Sequence, residues 1–201
     1  MAAICVFCSS SGRIDPAHLE TARAVGAELA RRGHSLVSGG GRVSCMGAVA
    51  AAARAGGART VGIIPEVLVG MEVADDDADE LVVTPDMRSR KGEMDRRSDA
   101  FVCLPGGLGT LEELLEIWVS RTLGVHAKPI VVLDDADVFA PLRAQVEALV
   151  TAGFVRPEGR DVVRWARTAA EALELVEQEL SAAAPARPLV PVAEDLLESE
   201  P

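Results

Sequence analysis

Tyrosine is missing from this 201-residue chain, and aromatic residues make up only 3% of it. Lysine occurs at two positions, Lys91 and Lys128, which leaves few candidates for any chemistry that needs a Schiff-base amine. Positive charge is in deficit: 20 Lys and Arg against 31 Asp and Glu give a net charge of −11. That balance excludes a general nucleic-acid binder, whose domain would be basic. No run of about 18 apolar residues occurs, so no membrane-spanning helix and no membrane partner are expected. The opening stretch MAAICVFCSSSGR lacks a basic leader and reads as a first strand, not as a signal peptide. Cys5 and Cys8 have the spacing of half a zinc framework, but no second pair exists. Cys5 and Cys103 are expected to serve as small core residues in a reducing, cytoplasmic setting. No metal-ligand cluster and no cofactor requirement are visible.

The chain is 49% hydrophobic, ample for one core at a length that buries roughly 70% of the unfolded surface. Short apolar runs alternate with helical patterns. AAICVF, HSLVS, TVGII, ELVVT, AFVCL and PIVVL read as strands, and helices are expected near 16–32, 46–55, 138–152 and 168–183. Strands that are apolar throughout belong to a parallel sheet covered on both faces. The fold class is therefore α/β, a single Rossmann-like doubly wound domain with a parallel sheet flanked by helices, over residues 1–183. Residues 184–201, rich in proline and acid, read as a flexible tail. The stretch EVADDDADE at 72–80 places six carboxylates in nine residues and reads as a solvated loop.

Ligands of an open parallel sheet bind beyond the carboxyl ends of its strands. Three glycine-rich or serine-rich turns follow strands: CSSSG with Ser9, SGGGR with Gly40 and Gly41, and PGGLGT with Gly106, Gly107, Gly109 and Thr110. Glycine lets backbone approach a ligand closely. A helix that starts directly behind such a turn presents free N–H groups and a positive dipole end, which suits phosphate. No G-x-x-x-x-G-K-[ST] is present, neither glycine triplet completes G-x-G-x-x-G, and no acidic residue ends the second strand. These absences disfavour a P-loop triphosphatase and a dinucleotide site and leave a mononucleotide.

The segment DMRSRKGEMDRR, 86–97, carries five basic and three acidic residues in a chain of net −11. As a helix it would put Arg90 and Met94 on one face, with Lys91 to the side. It precedes the strand that feeds PGGLGT, so Met87, Arg90 and Lys91 can reach the same strand end. His18 and His34 read as surface or turn residues, and His126 as a weak site candidate.

DMRSRK followed by LPGGLGTLEELLEIW resembles the Lonely Guy family of cytokinin riboside 5′-monophosphate phosphoribohydrolases. The family hallmark is an Arg-Lys pair followed by P-G-G-x-G-T-x-x-E, met here by Arg90, Lys91, Pro105, Gly106, Gly107, Gly109, Thr110 and Glu113. The resemblance runs from VFCSSSG through SGGGRVSCMG and GIIPEVL to LGVHAKPIVVLD, roughly residues 4–155. It implies a homodimer that hydrolyses the N-glycosidic bond of an adenosine 5′-monophosphate, often N6-prenylated, giving free base and ribose 5-phosphate. It implies that Arg90 and Glu113 match the catalytic pair and that Gly107, Gly109 and Thr110 match the phosphate-binding turn. The sequence departs from the family at Ser38, at Ser44-Cys45 and at Arg88, where tyrosine, Gly-Leu and histidine are common. These positions bear on base preference more than on chemistry. Many members once carried the label lysine decarboxylase, which the two lysines here do not support.

Cleavage of a nucleotide's glycosidic bond builds an oxocarbenium ion on the ribose, and a carboxylate beside C1′ stabilises it. Glu113 can supply that charge, with Arg90 pairing with it and orienting it. The rival readings are a broader nucleoside-monophosphate nucleosidase and a non-catalytic nucleotide or cofactor carrier on the same fold. A structural role also competes for Glu113: TLEE at 110–113 has the form of a capping box, with Thr110 as N-cap and Glu113 at the third helical position. Apolar residues on several faces of LEELLEIWVSRTLG point to a second copy of the chain as partner.

Overall fold

A computed structural model describes residues 1–71 and 74–182. Seven strands form one sheet: β1 Ala3–Phe7, β2 Ser35–Ser38, β3 Thr60–Pro65, β4 Glu80–Thr84, β5 Ala100–Cys103, β6 Ile130–Leu133 and β7 Val163–Ala166. Their order is β4-β3-β2-β1-β5-β6-β7, and every pairing is parallel. The helices between them are α1 Pro16–Arg31, α2 Ser44–Ala55, α3 Glu66–Val69, α4 Met87–Arg96, α5 Leu108–Thr122, α6 Ala140–Thr151, α7 Pro157–Asp161 and α8 Ala169–Ser181.

The alternation of side chains along β1 explains the two faces. Ile4 and Val6 join a cluster with Val25 and Leu29 of α1, Val49 and Ala53 of α2, and Leu173 and Val176 of α8. Cys5 and Phe7 point the other way, into a cluster with Met94 of α4, Leu114, Ile117 and Trp118 of α5, and Val146 of α6. The expected doubly wound α/β sheet is therefore observed. Asp15 starts α1 by accepting a hydrogen bond from the Ala17 N–H at 2.9 Å, with Pro16 as the first helical residue. Asp86 starts α4 in the same way, accepting from the Ser89 N–H at 2.7 Å.

The strand order fixes where a ligand can enter. From β1 the chain builds outward to β4, then returns to lay β5 on the other side of β1. The turns after β1 and β5 therefore diverge and leave a crevice at the switch point. Three local expectations are corrected here. A seventh strand, β7, follows α7 and closes one edge of the sheet. The acidic stretch is only partly solvated, because Asp75 is buried and takes a two-pronged hydrogen bond from Arg54 at 2.7 and 3.1 Å. Asp79 accepts from the Thr60 N–H at 2.7 Å, pinning the lead-in to β4. His34 is buried, with its Nε2 3.0 Å from Glu177 and its Nδ1 accepting from the Ala2 N–H. Among the described residues no helix is long and apolar enough to cross a membrane. All four cysteines are buried free thiols. The expected tail, 184–201, lies outside the described residues.

Candidate active site

A cleft of about 290 Å³ opens at the switch point, walled by the turns after β1 and β5 and by α4 and α5. Ser9, Met87, Arg90, Gly107, Gly109, Thr110 and Glu113 all line it. Sequence-distant residues from four elements thus meet in one place. Ser9 is itself buried, and its hydroxyl accepts the Ser11 N–H at 3.0 Å, which tightens the turn after β1.

Arg90 is the organising side chain. It is 6% exposed, and burying a guanidinium demands acceptors for its donors. Three are supplied from three elements. Nε donates to the Ile63 carbonyl at 3.0 Å, Nη2 to the Gly39 carbonyl at 3.2 Å, and Nη1 to Oε1 of Glu113 at 3.3 Å. The two carbonyls fix the plane of the guanidinium, and its remaining edge orients the carboxylate. Glu113 is 12% exposed at its side chain. The pair therefore sits in a medium much less screening than water.

Gly39 is part of this construction. A Cβ at Gly39 would fall 1.9 Å from Nη2 of Arg90. Gly40 has φ +75°, a left-handed conformation, and packs over β3, where a Cβ would approach the Ile63 nitrogen to 3.0 Å. Gly41 bridges to Ala74. Gly40 and Gly41 do not line the cleft; they carry the chain past β3 so that Gly39 can present its carbonyl. Gly39 is the glycine of the triplet that reaches the site.

The turn PGGLGT divides in the same manner. Gly106 is outside the cleft lining, and it is needed within the chain, because a Cβ there would lie 2.1 Å from Oγ1 of Thr110. A Cβ at Gly107 or Gly109 would meet nothing within 4 Å, and neither residue has positive φ. Among the described residues no atom crowds these two positions. Both border the cleft. Backbone at both positions is therefore open to the cleft.

Helix α5 begins at Leu108 with Gly107 as its N-cap, and no side chain caps it. The capping box that competed for Glu113 is therefore absent. Thr110 is the third residue of the helix and Glu113 the sixth, too far along to serve the N-terminus. The first N–H groups of a 15-residue helix face the cleft without a side-chain acceptor, an arrangement that draws an anion.

Lys91 turns away from the cleft and pairs with Glu112 and Glu116, the latter at 2.9 Å. Burial pulls its ammonium pKa down, but the two carboxylates outweigh that and hold it above the ordinary lysine value. Lys128 sits before β6 and binds Asp95 at 2.7 Å. His126 is buried outside the cleft, its Nδ1 accepting the Lys128 N–H and its Nε2 3.1 Å from the Ile117 carbonyl. Burial lowers its pKa, so the imidazole is neutral near pH 7. Among the described residues no group of three or more His, Cys, Asp or Glu side chains could hold a metal ion.

Sequence reasoning missed several walls of the cleft: Phe7, Gly39, Met46, Leu68 and Leu108. The glycine triplet was the signal available for Gly39. For Met46 and Leu68 there was none, because apolar residues near helix starts read as core.

The family model described as "Possible lysine decarboxylase" matches residues 46–176. The cytokinin riboside 5′-monophosphate phosphoribohydrolase of Mycobacterium tuberculosis is 53% identical over 157 residues, covering 77% of this chain and 82% of that one. A probable enzyme of the same name from Oryza sativa subsp. japonica is 41% identical over 175 residues, covering 87% and 72%. Among solved structures, the molybdenum cofactor binding protein of Rippkaea orientalis superposes with a TM-score of 0.68 at 24% identity, over 88% of this chain and 95% of that one. The molybdenum cofactor carrier protein of Chlamydomonas reinhardtii gives 0.67 at 21% identity, over 89% and 98%. At those identities the structural likeness concerns the fold alone.

Proposed function

The chain belongs to the Lonely Guy family of phosphoribohydrolases, and on that premise we propose that it hydrolyses the N-glycosidic bond of adenosine 5′-monophosphates, N6-substituted ones included. The observation that carries this reading is the Arg90–Glu113 pair, held by two backbone carbonyls and placed beside an uncapped helix N-terminus.

The 5′-phosphate seats on the N–H groups at the start of α5, against Gly107, Gly109 and Thr110. Two positions that could carry side chains and do not give its oxygens room to reach the backbone. The ribose then lies along the first two turns of α5, towards Glu113. As the C1′–N9 bond lengthens, its electron pair departs with the base and positive charge grows on C1′ and the ring oxygen. The Glu113 carboxylate opposes that charge. Water adds to C1′ and loses a proton while the base gains one, so the products are free base and ribose 5-phosphate. Remote phosphate binding thus holds the reacting carbon beside the carboxylate.

The description "Possible lysine decarboxylase" does not fit the side chains. A Schiff-base lysine is activated by a lowered pKa, and Lys91 is held in its charged form by Glu112 and Glu116. Lys128 is bound to Asp95 before the start of β6.

Residues 1–183 are proposed as one catalytic domain, acting in the cytoplasm, where four buried free thiols are at home. A homodimer is proposed as well. Leu115 and Val119 of α5 and its C-cap residue Leu123 recur at four-residue intervals and are 42%, 53% and 48% exposed, an apolar stripe that a second copy would cover.

The test compares AMP with adenosine at equal concentration. AMP should release base at least about 100-fold faster, the worth of roughly 2.7 kcal/mol of phosphate binding spent on the barrier. Equal rates would remove the phosphate anchor from the reading.

A further inference from the structure

A second, smaller cavity of about 90 Å³ lies against the first, and Phe7 and Glu113 line both. Its other walls come from α4, through Lys91, Gly92 and Asp95, and from α5, through Glu116 and Ser120, with Phe101 and His126 at its base. Glu113 is thus a partition with a face to each space. The cleft takes the nucleotide; the established geometry gives the second cavity nothing to do.

Its size and lining indicate what it holds. A water needs roughly 10–15 Å³ of such space, so the cavity has room for several. Lys91, Asp95, Glu113, Glu116, Ser120 and His126 are among its lining residues, and side chains of these types can supply the hydrogen-bond partners that water needs. Each charged group in the lining has an ionic partner: Lys91 pairs with Glu112 and with Glu116, the latter at 2.9 Å, Asp95 with Lys128 at 2.7 Å and Glu113 with Arg90 at 3.3 Å. His126 adds no charge, since burial lowers its pKa. A neutral, small, hydrogen-bonding occupant fits such a space.

Gly92 lies at an exposed position in the middle of α4, and a Cβ built there meets nothing within 4 Å. Glycine is unfavourable in a helix interior, and no neighbouring atom requires it here. Gly92 lines the cavity as well, so the wall at this exposed position carries no side chain.

Resting on the hydrolytic reading above, we propose that this second cavity is the water inlet of the enzyme, which delivers the attacking water to Glu113 from the side the bound nucleotide does not block. A nucleotide that fills the cleft displaces the solvent there, so hydrolysis needs a separate supply. The incoming water donates one hydrogen bond to Glu113 and attacks C1′ as the C1′–N9 pair leaves with the base. Its proton passes through the cavity to solvent, and the base takes one up. Gly92 and Ser120 act as positioning residues by keeping the passage open.

The experiment narrows the inlet at two independent points, with Gly92→Leu and Ser120→Leu, and compares each with its alanine counterpart. AMP turnover is measured in buffer and in buffer containing methanol, where methyl ribose 5-phosphate reports the competing nucleophile. Expected are a fall in kcat of at least 10-fold for either leucine variant, KM within twofold of wild type, and recovery of most of the turnover with alanine. The ratio of methanolysis to hydrolysis should fall in the leucine variants, since the larger nucleophile is excluded more. Turnover within twofold of wild type in Gly92→Leu would overturn the inlet. So would a raised KM with kcat retained, which would make the cavity a subsite for the leaving base. An unchanged methanolysis ratio would count against it equally, and that ratio can be read from any residual activity if one variant is poorly folded. A wild-type enzyme that releases no base from AMP would instead sink the hydrolytic reading itself.

Discussion

Replacing Glu113 by glutamine separates the chemistry of this site from its architecture. The substitution keeps size and an acceptor oxygen for Nη1 of Arg90, while Arg90 retains its bonds to Ile63 at 3.0 Å and Gly39 at 3.2 Å. Glu113 is the sixth residue of α5, too far along to cap it, and glutamine keeps the polar atoms in place, so the loss of charge assistance should cost about 1 kcal/mol, or 2–4 °C in Tm for a domain of this size. The loss in rate is larger. A carboxylate about 4 Å from a developing unit charge, at an effective dielectric of about 20, is worth about 4 kcal/mol. Two-thirds of that, roughly 2.7 kcal/mol, is a hundredfold in rate. Glu113→Gln should therefore melt within a few degrees of wild type and turn over AMP at least about 100-fold more slowly, as followed by base release and by differential scanning calorimetry. A folded Glu113→Gln enzyme with more than about a third of wild-type turnover would refute the electrostatic role.

Gly39→Ala should act on the same pair from behind: its Cβ would lie 1.9 Å from Nη2 of Arg90, so Arg90 must shift, and turnover should drop by at least about 10-fold with a stability loss of roughly 1–3 kcal/mol. A crystal structure of Gly39→Ala with Arg90 unmoved would contradict this. Acid should destabilise the fold in two stages, read as Tm against pH. Burial holds His126 below its ordinary value of 6.5, so the unfolded chain binds a proton that the folded one does not, and stability begins to fall as pH drops below about 6.5. Hydrogen bonds from Arg31, and then from Arg32, depress the Glu28 carboxyl from 4.5 to about 2, so its contribution is complete above about pH 4.5 and is lost as pH falls towards 2. A Tm independent of pH between 7 and 3 would show that neither group is linked to folding.

The doubly wound sheet was legible because β1, β5 and β6 are apolar at every position, as a sheet covered on both faces requires. Strand β7 was not, because VRWA is short, lies at an edge and carries Arg164 on its exposed side. Arg90, Glu113 and the PGGLGT turn were legible as local patterns, and the strand order brought them together. What sequence alone could not provide was which glycines answer to a ligand. Gly39, Gly40 and Gly41 are identical in sequence, yet Gly40 satisfies β3 and Gly39 satisfies Arg90. The pattern TLEE fitted a capping box, but the helix begins three residues earlier, with Gly107 in the extended N-cap conformation. His34 read as a turn residue, since its partner Glu177 is 143 positions away.

The central claim is that this site breaks the bond between base and ribose while leaving the phosphate in place. The most direct test incubates the purified chain with N6-isopentenyl-AMP and quantifies both fragments by liquid chromatography with mass detection. The account predicts free N6-isopentenyladenine and ribose 5-phosphate in a one-to-one ratio, with no nucleoside and no inorganic phosphate formed. Tight binding of the nucleotide with every bond intact would contradict it and would mark the protein as a carrier on this fold.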